Sequence, residues 1–260
     1  MGLSYYTEIA TIMAAVDEDV DGHLRVKEVF ESFESFKIIC NFIISSQKTL
    51  KLQESDGLSN KTIDSIVELA CGHGLIGILL AYRFPKLKVY LYDLYKRPTF
   101  NAFLRAFEKH GFKRQGMEKV LPNIYFFEED MKNSIDKIPN SIVICVHGCG
   151  EVNKDTIEMA SDNQAAGWAV MPCCILKDMY LGNECSVLIS DDSIRYNMLC
   201  GALANKYNAQ LISAIDNRIT NRPVVIAGGV GIATDILNYN ITSDLALALK
   251  RKRLPKLILH

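Results

Sequence analysis

Residues 65–83 constrain this chain more than any other stretch. The apolar run Ser65-Ile66-Val67-Glu68-Leu69 leads into Ala70-Cys71-Gly72-His73-Gly74. Leu75-Ile76-Gly77-Ile78-Leu79-Leu80-Ala81 then continues without a polar side chain. A short strand feeding a glycine turn and then a buried helix opens a βαβ unit. Glycines at 72 and 74 let the backbone turn tightly and come close to a bound group, and Gly77 lets the helix sit close on the strand.

The rest of the chain repeats that alternation. Short apolar runs at 65–69, 88–92, 123–127, 141–146 and 167–172 are separated by segments of helical periodicity, which predicts a doubly wound parallel sheet. Two further runs, 210–214 and 223–227, are joined by a short polar stretch with Asn217 and Asn221 and read as a terminal antiparallel pair. Residues before the polar stretch 53–60 are helical instead: Ile9, Ile12, Met13 and Val16 form one stripe, Val29, Phe30 and Phe33 a second, and Ile38, Ile39, Phe42 and Ile43 a third. The expected organisation is a small α-helical segment over 1–52 and an α/β domain over 60–260. With 29 Lys+Arg against 30 Asp+Glu and a net charge of -1, a strongly basic nucleic-acid coat is excluded. Lys250-Arg251-Lys252-Arg253 reads as a solvated helix end. No apolar run reaches the roughly 18 residues of a bilayer span, and no signal-peptide n-region is visible. The eight cysteines, several inside apolar runs, read as reduced thiols of an intracellular, cytoplasmic protein with no membrane partner.

Gly72, Gly74 and Gly77 satisfy G-x-G-x-x-G, which keeps a nicotinamide dinucleotide in view. Glu68, four residues before Gly72, adds a carboxylate beside the loop, and Glu68-x-x-x-Gly72-x-Gly74 resembles the first motif of class I S-adenosylmethionine-dependent methyltransferases. Asp93 ends the second predicted strand, where an acid suits the two ribose hydroxyls. Glu128-Glu129-Asp130-Met131 follows the third. The resemblance implies a Rossmann-like fold with S-adenosylmethionine held by Glu68, Cys71, Gly72, Gly74 and Asp93, with Asp130 at the adenine amine and Met131 on the ring. The closing antiparallel pair also resembles that family's strand order.

Val146-His147-Gly148-Cys149-Gly150 and Met171-Pro172-Cys173-Cys174 end the fourth and fifth predicted strands. They resemble a branch carrying His-x-Cys-Gly and Pro-Cys-Cys, which includes tRNA 2'-O-methyltransferases. That resemblance implies an RNA acceptor, with His147 as the catalytic base for a hydroxyl. The chain lacks the zinc-binding Cys/His segments of those tRNA enzymes, and also the Asn/Asp-Pro-Pro-Tyr loop of amino-group methyltransferases. His147, Cys149, Cys173 and Cys174 have the ligand types for zinc. Neighbouring Cys173 and Cys174 point to opposite faces if the strand runs through them, however, and buried structural thiols are the expectation.

A second motif stands near the N-terminus. Asp17, Asp19 and Asp21, the carbonyl of His23 and a bidentate Glu28 fit positions 1, 3, 5, 7 and 12 of a Ca2+-binding EF-hand loop, with Gly22 at the sharp turn and Leu24 at position 8. Arg25 at position 9 departs from the pattern, and no second complete loop is visible; the sequence leaves open whether this EF-hand-like motif pairs with another chain. The expected protein is an S-adenosylmethionine-dependent methyltransferase with an appended calcium site. The alternatives are a calcium-responsive binding module on an inactive methyltransferase-like domain, and an NAD-dependent oxidoreductase.

Overall fold

The structure, a computed structural model, describes residues 9, 11–13, 26–57, 61–113, 116–175, 180 and 191–229. The loop residues Asp17, Asp19, Asp21 and His23, the basic tail at 250–253 and Cys185 lie outside these. The chain runs through α1 (Val26–Ser55), β1 (Ser65–Leu69), α2 (Leu75–Arg83), β2 (Lys88–Asp93), α3 (Pro98–His110) and β3 (Ile124–Glu128). A 3₁₀ turn (Met131–Lys137) leads to β4 (Ser141–Val146), α4 (Val152–Asp162), β5 (Gly167–Met171), α5 (Asp192–Lys206), β6 (Leu211–Ala214) and β7 (Val224–Gly228).

The strands form one seven-stranded sheet in the order β3-β2-β1-β4-β5-β7-β6. The first five run parallel to one another, whereas β7 runs antiparallel to both β5 and β6. This is the Rossmann-like α/β sheet with a terminal antiparallel pair. Central strands covered on both faces must be apolar at successive positions rather than alternate positions, and β1 and β5 are buried throughout.

Alternate residues of those strands serve opposite layers. Ile66, Ile142, Ile144 and Ala169 join the cluster of α1, α2 and α3, which includes Phe36, Ile39, Leu79, Phe103 and Phe107. Val67, Leu69, Val143, Cys145, Trp168 and Val170 face the other way, toward Ile157 and Ala160 of α4 and Tyr196 and Leu203 of α5. Ile9 and Ile12 are buried in the first cluster. Local signals set the helix starts: Pro98 occupies the first turn of α3, and Asp191 accepts from Ser193 N and Ile194 N at 2.8 and 2.9 Å to begin α5.

One expected stripe differs. Phe30 is 54% exposed, and the first turns of α1 bury Glu31, Ser32 and Ser35 instead. That face looks onto the sheet's carboxyl edge, where polar groups find partners. Ser35 Oγ, for example, donates to Met171 Sδ at 3.0 Å.

Candidate active site

The strand order reverses between β1 and β4, and a crevice opens at the carboxyl ends of the strands beside such a switch point. A cavity of about 1130 Å³ occupies that place. Its walls include Glu68, Ala70, Cys71, Gly72 and His73 after β1, Asp93 after β2, and His147, Cys149 and Cys173 after β4 and β5.

The turn after β1 is held from several sides. Gly72 and Gly74 have φ of +58° and +69°, where a side chain would be strained. A Cβ on Gly72 would meet nothing within 4 Å, leaving an open cradle of backbone. Gly72 N donates to Asp93 Oδ2 at 2.7 Å, and Tyr95 N donates to Asp93 Oδ1 at 3.2 Å. Leu75 N donates to His73 Nδ1 at 3.2 Å, so His73 satisfies an orphan N–H at the start of α2. Burial holds the His73 imidazole below its ordinary range, in keeping with an accepting Nδ1.

Glu68 is fully inside the fold. Burial pushes its carboxyl up to about 8, with a backbone N–H from Gly77 opposing and the Asp93 charge adding to the rise. Its Oε2 has no hydrogen-bond partner among the described residues. An unpaired buried carboxylate oxygen in the wall of a cavity fits a ligand that brings a donor or a cation. A Cβ on Gly77 would stand 2.5 Å from that oxygen and 2.7 Å from Leu91 Cδ2, so Gly77 is what lets α2 lie against β1 and β2.

The far wall is built by the tip of β4 and by α1. His147 has φ +62°, an uncommon conformation for a side-chain-bearing residue, and its N–H donates to Met171 O at 2.9 Å. His147 Nε2 lies 3.3 Å from Glu31 Oε2, and Lys27 Nζ lies 3.2 Å from Glu31 Oε1. His147 and Glu31 are in charge-pair contact without a formed hydrogen bond, and Nε2 has no hydrogen-bond partner among the described residues. Burial lowers the His147 pKa, and Glu31 pulls it the other way. Glu31 escapes a sequence reading because it shares a turn with apolar residues and its partner is 116 positions away. Lys27, Arg97, Arg105 and Arg222 also line the cavity, and Thr220 and Arg222 reach it from the loop before β7.

The sequence-predicted residues divide accordingly. Glu68, Cys71, Gly72, Asp93, His147 and Glu28 are in the wall, and Gly74 sits one step behind it as the N-cap of α2. Asp130 caps the 3₁₀ turn, accepting from Lys132 N at 2.9 Å, and Met131 packs on the apolar cluster of α4 and α5. Neither lines the cavity. The expectation of buried thiols at the strand tips is corrected. Strand β5 ends at Met171, so Cys173 and Cys174 turn together rather than alternating, and Cys149 and Cys174 are exposed.

Residues 36–177 match the family described as a methyltransferase domain. The chain belongs to that family. The methyltransferase takes S-adenosylmethionine as its methyl donor, the cofactor that the glycine loop and Asp93 suggest. No curated protein sequence matches the chain. Among solved structures it is similar to a magnesium protoporphyrin IX methyltransferase from Synechocystis PCC 6803, at 12% identity over 86% of this chain and 94% of that one, with a TM-score of 0.39. It is also similar to an O-methyltransferase family protein from Burkholderia thailandensis (12% identity, 87% and 68% covered, TM-score 0.39). A third is a 16S rRNA (adenine(1408)-N(1))-methyltransferase from Catenulisporales acidiphilia (11% identity, 74% and 91% covered, TM-score 0.40). No helix among the described residues is long and apolar enough to cross a membrane.

Proposed function

We infer that this methyltransferase modifies a hydroxyl on RNA, with the donor held on the β1–β2 side of the cavity and the acceptor brought against His147. The observation that carries the reading is one cavity whose wall joins Gly72 and Asp93 to His147. Glu68, Cys71, Gly72 and Asp93 are the residues that would hold S-adenosylmethionine. Bound there, it supplies a sulfonium methyl group.

Transfer from a sulfonium needs alignment above all. The held loop and the strained tip of β4 supply fixed walls for it. A hydroxyl acceptor must also lose a proton, and the His147 imidazole is the group that would take it, with Glu31 beside the ring as the positioning residue. The wall sets Lys27, Arg97, Arg105 and Arg222 beside Glu28, Glu31, Glu68 and Asp93. Lys27 is paired to Glu31 and Arg222 to Asp192, so Arg97 and Arg105 are the cations offered to an RNA phosphate.

The test is calorimetric titration of S-adenosylhomocysteine together with methylation of total RNA from labelled S-adenosylmethionine. Histidine 147 replaced by alanine is expected to keep cofactor affinity and lose about 10²–10⁴-fold in turnover. Equal turnover of His147→Ala and the parent would refute the base, and no RNA labelling by a cofactor-binding protein would refute the acceptor.

Calcium at Asp17, Asp19, Asp21, His23 and Glu28 is a separate proposal. Glu28 stands in the first turn of α1 and lines the cavity, which gives an ion on that loop a route to the active site. Terbium luminescence, lost in Glu28→Gln and displaced by calcium, is the expected signal. A flat titration would end the idea.

A further inference from the structure

Three thiols converge on one side of the cavity, apart from the residues that would hold the cofactor. Cys149 follows β4, and Cys173 and Cys174 follow β5. Their sulfur atoms all lie within 4.8 Å of one another. Cys149 Sγ is 3.1 Å from Cys173 Sγ, which is 3.3 Å from Cys174 Sγ. As thiols they are poorly served. Cys149 and Cys173 share the His147 carbonyl oxygen as acceptor, at 3.8 and 3.4 Å, and S–H is a weak donor.

We propose that Cys149, Cys173 and Cys174 together bind one zinc ion whose fourth coordination position is reached from the cavity. Three soft thiolates select zinc over magnesium or calcium. A tetrahedral site with Zn–S of about 2.3 Å separates its sulfurs by about 3.8 Å. The 3.1 and 3.3 Å spacings are about 0.7 and about 0.5 Å short of that. All three residues lie on turns rather than within a strand or helix, so the small widening meets no ladder of backbone bonds. His147 is not the fourth ligand, because it does not join the three sulfurs within that 4.8 Å group.

Three protein ligands and one open position is the arrangement of a working zinc site rather than a closed structural one. Cys149 and Cys173 both line the cavity. The ion therefore stands where an acceptor hydroxyl or thiol could become its fourth ligand and be held there in a more acidic form. This role rests on reading the cavity as the methyl-transfer site, whereas the binding of the ion does not.

The experiment uses the full chain, stripped of metal and kept in a non-chelating reductant. It is titrated with cobalt(II) as a spectroscopic probe and then back-titrated with zinc. Uptake of about one cobalt per chain, with the thiolate-to-cobalt charge-transfer intensity of three sulfurs and displacement by zinc, is expected. Cys149→Ser and Cys174→Ser, both at exposed positions, should each weaken uptake at least tenfold while folding normally. Cys200→Ser, whose thiol is buried on α5, should not. Uptake unchanged in the first two variants would overturn the site. So would absence of uptake with a Cys149–Cys173 disulfide found by mass spectrometry. Calorimetry with S-adenosylhomocysteine on the same samples separates the two readings. Cofactor binding without metal uptake removes only the ion, and metal uptake without cofactor binding removes only the role assigned to the cavity.

Discussion

Replacing Glu68 by Gln tests whether the acid beside the glycine loop is held against its own ionisation. Glu68 is 2% exposed and its carboxyl is pushed up to about 8 by burial. An acid whose pKa is higher in the folded state favours folding most at low pH. That advantage is complete below the unfolded value near 4.5 and is lost as pH rises toward 8, because the unfolded chain releases the proton first. At about 1.4 kcal/mol per pH unit, the parent should lose about 2 kcal/mol between pH 6 and pH 8 from this group alone. Gln carries no such charge. Its amide adds a donor without an evident partner, a penalty of about 1–3 kcal/mol that does not vary with pH. The informative quantity is therefore the slope. Urea unfolding at pH 6, 7 and 8 should give a fall in stability for the parent and a shallower fall, by about 2 kcal/mol over the range, for Glu68→Gln. Parallel curves would refute the claim that burial raises the Glu68 carboxyl.

Gly77→Ala reverses the usual sign for a helix. Alanine normally gains about 1 kcal/mol over glycine in a helix interior, but here the added carbon meets Glu68 and Leu91, so a net loss of about 1–2 kcal/mol is expected in urea unfolding. Asp93→Ala removes the acceptor for Gly72 N and Tyr95 N as well as the acid proposed for the ribose. S-adenosylhomocysteine should bind about 10- to 100-fold more weakly by calorimetry, and undiminished affinity would move the cofactor elsewhere. Glu31→Gln keeps the shape of the pair with His147 while removing its charge. A fall in kcat with unchanged cofactor affinity is expected, and restoration of the parental rate in Glu31→Asp would support a positioning role.

The sheet was legible because central parallel strands leave a signature that needs no partner information. Runs such as Ile66-Val67 and Ile142-Val143-Ile144 are apolar at every position, and each predicted strand lies within a residue of an observed one. The glycine-loop side of the cavity was legible for a similar reason. Glu68, Gly72 and Asp93 are each adjacent in sequence to the strand end that positions them. The acceptor side was not, since Glu31 meets His147 only after the whole sheet is assembled, and Arg222 arrives from the far end of the chain. The thiol cluster was misjudged at one local step. Pro172 lacks the N–H that would continue the ladder, and once β5 stops at Met171 the two following cysteines are free to turn the same way.

That division has a functional consequence. The span that matches the family, residues 36–177, contains the glycine loop, Asp93, His147 and the three clustered cysteines. Lys27, Glu28 and Glu31 precede it, and Thr220 and Arg222 follow it, yet all five line the same cavity. The walls proposed for the donor therefore come from the family's own domain, whereas much of the charge on the side proposed for the acceptor is supplied by flanking segments. Binding energy that reaches a substrate away from its reacting atom can be used to align it. Specificity for the acceptor is accordingly expected to reside in these flanking residues. Paired charge reversals at Lys27 and Arg222 should then change which RNAs are labelled while leaving S-adenosylhomocysteine affinity within about twofold, a shift of less than roughly 0.5 kcal/mol. A parallel loss of cofactor affinity and RNA labelling in those variants would show instead that the flanks stabilise the donor site.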